Sequence, residues 1–162
     1  MKACVGGVGS ALLRLGGAAA LALLVACAGP RSTPPQEADG RPRVLTTFTV
    51  LADMARQVAG DRLDVQSITR IGAEVHGYEP TPSDIERASR ADLIVENGFG
   101  LERWAKRYIA SAGDVPTVTL SQGMDPILIE ADAYAGKPNP HAWMSPKRAQ
   151  VYVDRLVEAF SS

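Results

Sequence analysis

Strand-like and helix-like runs alternate from Arg43 to the last residue. Arg43 to Phe48 (RVLTTF) is a short β-rich run. Thr49 to Ala59 places Val50, Leu51, Met54, Ala55 and Val58 at helical spacing, and Gly60 follows as a C-cap. Leu63 to Thr69 reads as a second strand. Thr81 then offers an N-cap with Pro82 at the first helical position and Asp84 at the third, for a helix running to about Ala91. Leu93 to Glu96 (LIVE) is a compact third strand. Leu101 to Ala112 is an amphipathic helix with Leu101, Trp104, Ala105, Tyr108 and Ile109 on one side, stopped by Gly113. Thr117 to Leu120 is a fourth strand, and a long irregular connection leads to Asn139. Ser145 and Pro146 open a last helix whose inward residues are Ala149, Val153, Leu156, Val157 and Phe160. Strict alternation of strand and helix predicts an α/β fold: one four-stranded, mostly parallel sheet flanked by helices on both faces.

The chain ahead of this pattern has a different character. Lys2 and Arg14 supply positive charge, and Leu15 to Val25 is an apolar run of the length of a signal-peptide core, too short for a comfortable membrane span. It ends in Leu24-Val25-Ala26-Cys27, which resembles a bacterial lipobox, with cleavage before Cys27 and lipidation of that cysteine. The plainer alternative is an ordinary signal peptide that happens to precede a cysteine. Residues 1–26 are therefore expected to be a lipoprotein signal peptide, 27–43 a lipidated, disordered tether, and 44–162 the folded lobe. The expected product is exported and held on the membrane by acyl chains, facing the periplasm or the cell exterior. With Cys4 removed and Cys27 modified, no thiol remains for a disulfide or a cysteine-based metal site. Of 17 basic and 18 acidic residues, Lys2 and Arg14 leave with the signal, so the processed chain is mildly acidic. No basic run interleaved with aromatics points to nucleic acid.

Candidate chemistry centres on the two histidines of the 162-residue chain, His76 and His141. Each lies in a short loop rich in Pro, Gly or Asn just ahead of a helix start: GAEVHGYEPTPSD and KPNPHAWMSP. Imidazole on a stiff loop is a good transition-metal ligand. A loop histidine is also commonly just a solvated or capping side chain. In a parallel sheet ligands bind beyond the carboxyl ends of the strands, where both loops fall. Glu74 and Glu79 are candidates for ligation or for orienting an imidazole, against the plainer reading of solvated charge. Tyr78, Trp143 and Met144 flank the histidines, either as a dry wall around a metal or as ordinary packing. A metal-assisted hydrolase finds little support, since no H-E-x-x-H occurs and Pro80 pulls Glu79 out of helical geometry. Serine chemistry and a phosphate loop are equally unsupported, for want of a G-x-S-x-G elbow or a P-loop lysine.

The stretches VLTTFTVLADMARQVAGDRLDVQSIT, GAEVHGYEPTPSDIERASRADLIVENGFGLERW and GKPNPHAWMSPKRAQVYVD resemble the N-terminal lobe of the solute-binding lipoproteins of bacterial manganese/iron/zinc ABC importers. The resemblance implies that His76 and His141 both coordinate a divalent metal. It also implies a lipid anchor at Cys27, a two-lobed fold and delivery of the cation to a membrane permease, with no catalysis. The phrasing of both motifs, and the lack of histidine between Leu120 and Asn139, look like the manganese/iron branch rather than the zinc one. Family members are about twice as long, and their second lobe supplies two further ligands. The resemblance thus implies half a coordination sphere here, completed by water, a neighbouring chain or a separate second lobe. The alternatives are a surface adhesion or interaction lipoprotein that uses the same lobe without metal, or a non-functional half fragment.

Overall fold

The four strands are β1 (Arg43–Thr46), β2 (Asp64–Ser67), β3 (Leu93–Glu96) and β4 (Thr117–Thr119), in a computed structural model that describes residues 40–162. The helices are α1 (Thr49–Ala59), α2 (Pro82–Ser89), α3 (Arg103–Ser111) and α4 (Pro146–Phe160), and single 3-10 turns lie at Asp132–Tyr134 and Ala142–Met144. All three strand pairings are parallel, in the order β2-β1-β3-β4. Val44 lies between Val65 and Leu93 in this register, and Ile94 beside Thr117. The sequence expected strand β2 to reach from Leu63 to Thr69, whereas its ladder covers only the middle of that run.

The connections determine which face each helix covers. From β1 the chain steps outward to β2, then reverses past β1 to β3 and on to β4. Right-handed crossovers then send α1 to one face and α2 and α3 to the other. The core divides accordingly. Val44, Val65 and Val95 pack with Leu51, Ala52 and Ala55 of α1 and with Tyr152 and Leu156 of α4. On the opposite face Leu45 and Ile94 pack with Ile68 and Ala88, and Trp104 and Ile109 of α3 close over them. Consecutive strand residues point to opposite faces, so a four-residue strand feeds both layers.

Two helix faces differ from the sequence expectation. Val157 is half exposed, and Tyr152, not among the expected inward residues, is fully buried instead. The buried stripe of α4 runs through Tyr152 and Leu156, four apart, and Val157 falls just off it. On α1 Val50 is exposed while Ala52 is enclosed, because the helix approaches the sheet closely enough for alanines to form the contact.

Helix α2 starts where Thr81 and Pro82 predict. Thr81 Oγ1 accepts from the Asp84 backbone N–H, and the Asp84 carboxylate accepts from the Thr81 N–H at 2.8 Å, a reciprocal capping box. The same carboxylate receives Arg87 at 2.6 Å and the Tyr78 hydroxyl at 3.0 Å. Burial pushes the Asp84 carboxyl up, but the hydrogen bonds from Thr81, Arg87 and Tyr78 outweigh it and leave the pKa below the ordinary value. Among the described residues no helix is long and apolar enough to cross a membrane. The expected signal peptide and Cys27 lie outside the described residues, as does most of the tether.

Candidate metal centre

The reversal in strand order leaves a crevice at the carboxyl ends of β1 and β3, the place where such sheets bind ligands. The polar groups there are tightly tied. Thr47, Asn97 and Glu102 are almost wholly buried. Glu102 accepts from Thr47 Oγ1 at 2.8 Å and from the backbone N–H of Asn97 and Gly98 at 2.6 and 3.1 Å. Burial raises the Glu102 pKa, and these three donors oppose that shift. The Asn97 side chain donates to the Pro140 carbonyl at 2.9 Å, and its oxygen accepts the Tyr152 hydroxyl at 2.6 Å. Tyr152 is pushed far above its usual pKa by burial, with the Glu102 charge adding to it, so its hydroxyl remains a donor. This network fixes Pro140, the residue before His141, against β3 and α4.

The other histidine loop is held from the opposite layer. Trp104 of α3 donates its indole N–H to the Val75 carbonyl at 2.7 Å, next to His76. The two loops arrive side by side, with the His76 and His141 ring centres 5.3 Å apart and tilted by 52°. An ion about 2.1 Å from each Nε2 lies roughly 3.2 Å from each ring centre. Two rings aimed at one ion with a bond angle of about 90–110° would then stand roughly 4.5–5.2 Å apart. The observed 5.3 Å lies just past the wide, tetrahedral end of that range.

Both rings are oriented by the same local device. Glu74 Oε1 accepts from the His76 backbone N–H at 2.8 Å and lies 2.7 Å from His76 Nδ1. Asn139 Oδ1 does the same at His141, at 3.1 Å from the backbone nitrogen and 2.8 Å from Nδ1. An acceptor at Nδ1 places the proton there and leaves the Nε2 lone pair free. Burial, reinforced by the charge of His76, lowers the His141 pKa and favours the neutral ring that a metal requires. The Glu74 pKa is lowered by its hydrogen bond from the His76 backbone and by the one to the ring.

The remaining candidates separate. Trp143 leans on His141 with ring centres 5.2 Å apart and on Phe48 at 5.0 Å, forming one apolar side of the site. Of the two readings offered for Tyr78, a wall around the histidines or ordinary packing, the structure shows packing. Its ring packs on Trp104 at 5.1 Å and its hydroxyl caps Asp84, because the turn after Gly77 carries it to the α2/α3 layer. Glu79 is exposed, and Met144 is 75% exposed, so neither encloses the centre. Sequence reasoning missed Asn139, Asn97 and Tyr152. The repeat of an acceptor two residues ahead of each histidine, Glu74-Val75-His76 and Asn139-Pro140-His141, was the available signal for the first. Among the described residues no group of three or more His, Cys, Asp or Glu side chains could hold a metal, so the centre offers a pair of nitrogens.

Comparison with known proteins places the chain among metal-binding proteins of bacterial transporters. The iron-binding protein YfeA of Yersinia pestis is 42% identical over 140 residues, which are 86% of this chain and 45% of that protein. The manganese-binding lipoprotein MntA of Halalkalibacterium halodurans is 38% identical over 143 residues, 85% of this chain and 46% of that one. The Mn-bound periplasmic metal binding protein from Candidatus Liberibacter asiaticus has a TM-score of 0.68 at 30% identity, covering 75% of this chain and 45% of that chain. The chain thus spans about half the length of the curated relatives it matches. Residues 44–162 match the zinc-uptake complex component A, periplasmic, family of transporter binding components, which are not enzymes, and the chain belongs to that family.

Proposed function

We propose that this chain carries the histidine half of a divalent transition-metal site, and that the protein captures the cation outside the cytoplasm for delivery to an ABC importer permease. The observation that carries this reading is the pair of imidazoles at 5.3 Å, each with its Nδ1 engaged and its Nε2 open. His76 and His141 are the proposed ligands, and Glu74 and Asn139 fix their tautomers. Manganese or iron is the proposed cargo, in keeping with the iron-binding and manganese-binding relatives. A lipid on Cys27 is the proposed anchor. The further ligands come from outside the described pair: water, a second lobe or a neighbouring chain.

Metal titration of the purified chain, followed by thermal unfolding, tests the reading. Any ion that binds only the folded form raises Tm in proportion to RT ln(1 + [L]/Kd), about 2.7 kcal/mol at a hundredfold excess over Kd. Mn²⁺, Fe²⁺ and Zn²⁺ are expected to raise Tm, and His76→Ala with His141→Ala to abolish the rise. A melting curve indifferent to all three ions in the unsubstituted chain would overturn the proposal. Binding to a partner protein that survives chelation and loss of both histidines would instead favour an adhesion role.

A further inference from the structure

A second cleft, with charged side chains on its rim, opens between the start of α1 and the segment that follows β2. It is an open cleft of about 550 Å³, where Asp53, Arg56, Thr69, Arg70 and Arg87 stand beside the apolar Ile68 and Ile71. Four features give it a chemical character. The first is cationic charge, three guanidinium groups against Asp53. Arg56 spends Nε and one terminal nitrogen on the Val65 carbonyl. Arg87 is committed to the Ser67 and Ile68 carbonyls and to Asp84. Arg70 is exposed, and its guanidinium makes no hydrogen bond or ion pair among the described residues.

The second feature is the open helix end. Phe48 caps α1 without a side-chain hydrogen bond, and the first turn carries no acid. The leading N–H groups of this 11-residue helix, with the positive end of its dipole, begin at Thr49 on the cleft wall. The third is Thr69, which is 3% exposed yet whose hydroxyl has no partner among the described residues. No fully enclosed side-chain nitrogen or oxygen among those residues lacks a partner, so this hydroxyl keeps its access to the cleft. A ligand oxygen in the cleft would give this hydroxyl the hydrogen-bond partner it lacks within the described residues. The fourth is the gap in the hydrogen-bond pattern beside it: Thr47, the neighbour of Thr69 across the strands, is fully engaged with Glu102, whereas Thr69 is not.

We infer that this cleft binds a small oxyanion, a carboxylate or a phosphate, through the Arg70 guanidinium, the Thr69 hydroxyl and the first amides of α1. Each donor is of the type that prefers a charged oxygen: a forked cation, a free hydroxyl and a helix N-terminus. Asp53 sets a limit on the charge of the ligand, since a more highly charged anion meets its repulsion as well as the attraction of the arginines. The inference does not depend on metal binding, because none of these groups is a proposed ligand.

Amide NMR titration of the chelator-treated chain tests it, with inorganic phosphate and succinate as separate probes and chloride as the ionic-strength control. Saturable shifts at Thr49 to Leu51 in the low millimolar range are expected with phosphate, succinate or both, and the probe that saturates identifies the ligand class. Arg70→Gln and Thr69→Val should each weaken that binding at least fivefold. Thr69→Val should leave Tm unchanged or slightly raised, since the lost hydroxyl had no partner. Shifts that never saturate, or that match those in chloride, would overturn the inference. So would equal affinity in both variants and the unsubstituted chain.

Discussion

Glu74 and Asn139 engage Nδ1 of their histidines and also receive the histidine backbone N–H, so each fixes both the ring and the turn that carries it. Groups that orient a ligating imidazole this way typically contribute 10–100-fold to metal affinity. Glu74→Ala and Asn139→Ala are each expected to weaken Mn²⁺ or Zn²⁺ by about that factor, measured by competition with a chromophoric chelator, while the fold stays intact. Protonation opposes the same ion. The His141 pKa is lowered by burial and by His76, so its folded form resists protonation more than its unfolded form does. A group depressed in this sense favours the folded state above its ordinary value of about 6.5, and that contribution falls away as pH drops below it. Metal affinity should accordingly hold between pH 8 and 7 and fall, by up to about tenfold per unit once the His141 ring protonates, as the pH approaches 5. Both histidines were legible in the sequence because nothing else in the chain could fill the role. Asn139 was not, since an asparagine beside proline reads first as a turn residue.

Among the elements, the turn after β3 is the tightest. Gly98 has φ of +87°, and a Cβ there would lie 2.3 Å from Ser121 Oγ and 2.5 Å from Thr119 Cγ2. Backbone strain and steric overlap act together, so Gly98→Ala should destabilise by more than about 2 kcal/mol, read from urea unfolding, and displace the adjoining Asn97. Because Asn97 holds the Pro140 carbonyl, the same variant should also lose metal affinity, although it is not a proposed ligand. The sequence marked Asn97-Gly98-Phe99-Gly100 as a turn and went no further. What made it part of the site is a set of distant partners, Tyr152 and Pro140, that no local pattern announces. The capping box at Thr81 and Asp84 was readable for the opposite reason: all its donors and acceptors lie within four residues.

Over the whole molecule, the alternation of strand and helix was sufficient to predict a parallel sheet with two helical layers, and the reversal of the chain after β2 explains which helix joins which layer. The convergence of the histidine loops depended on that reversal. His76 arrives from the segment between β2 and α2, tied to α3 through Trp104. His141 arrives ahead of α4, tied to β3 and α4 through Asn97. A cation shared by both rings would therefore act as a clasp across the end of the sheet, joining a loop tied to α3 with one tied to α4. Opening of either layer would first have to release it. Hydrogen exchange should then slow at the start of α2 and the start of α4 by the same factor when the ion is added, and by that factor together rather than at one end alone.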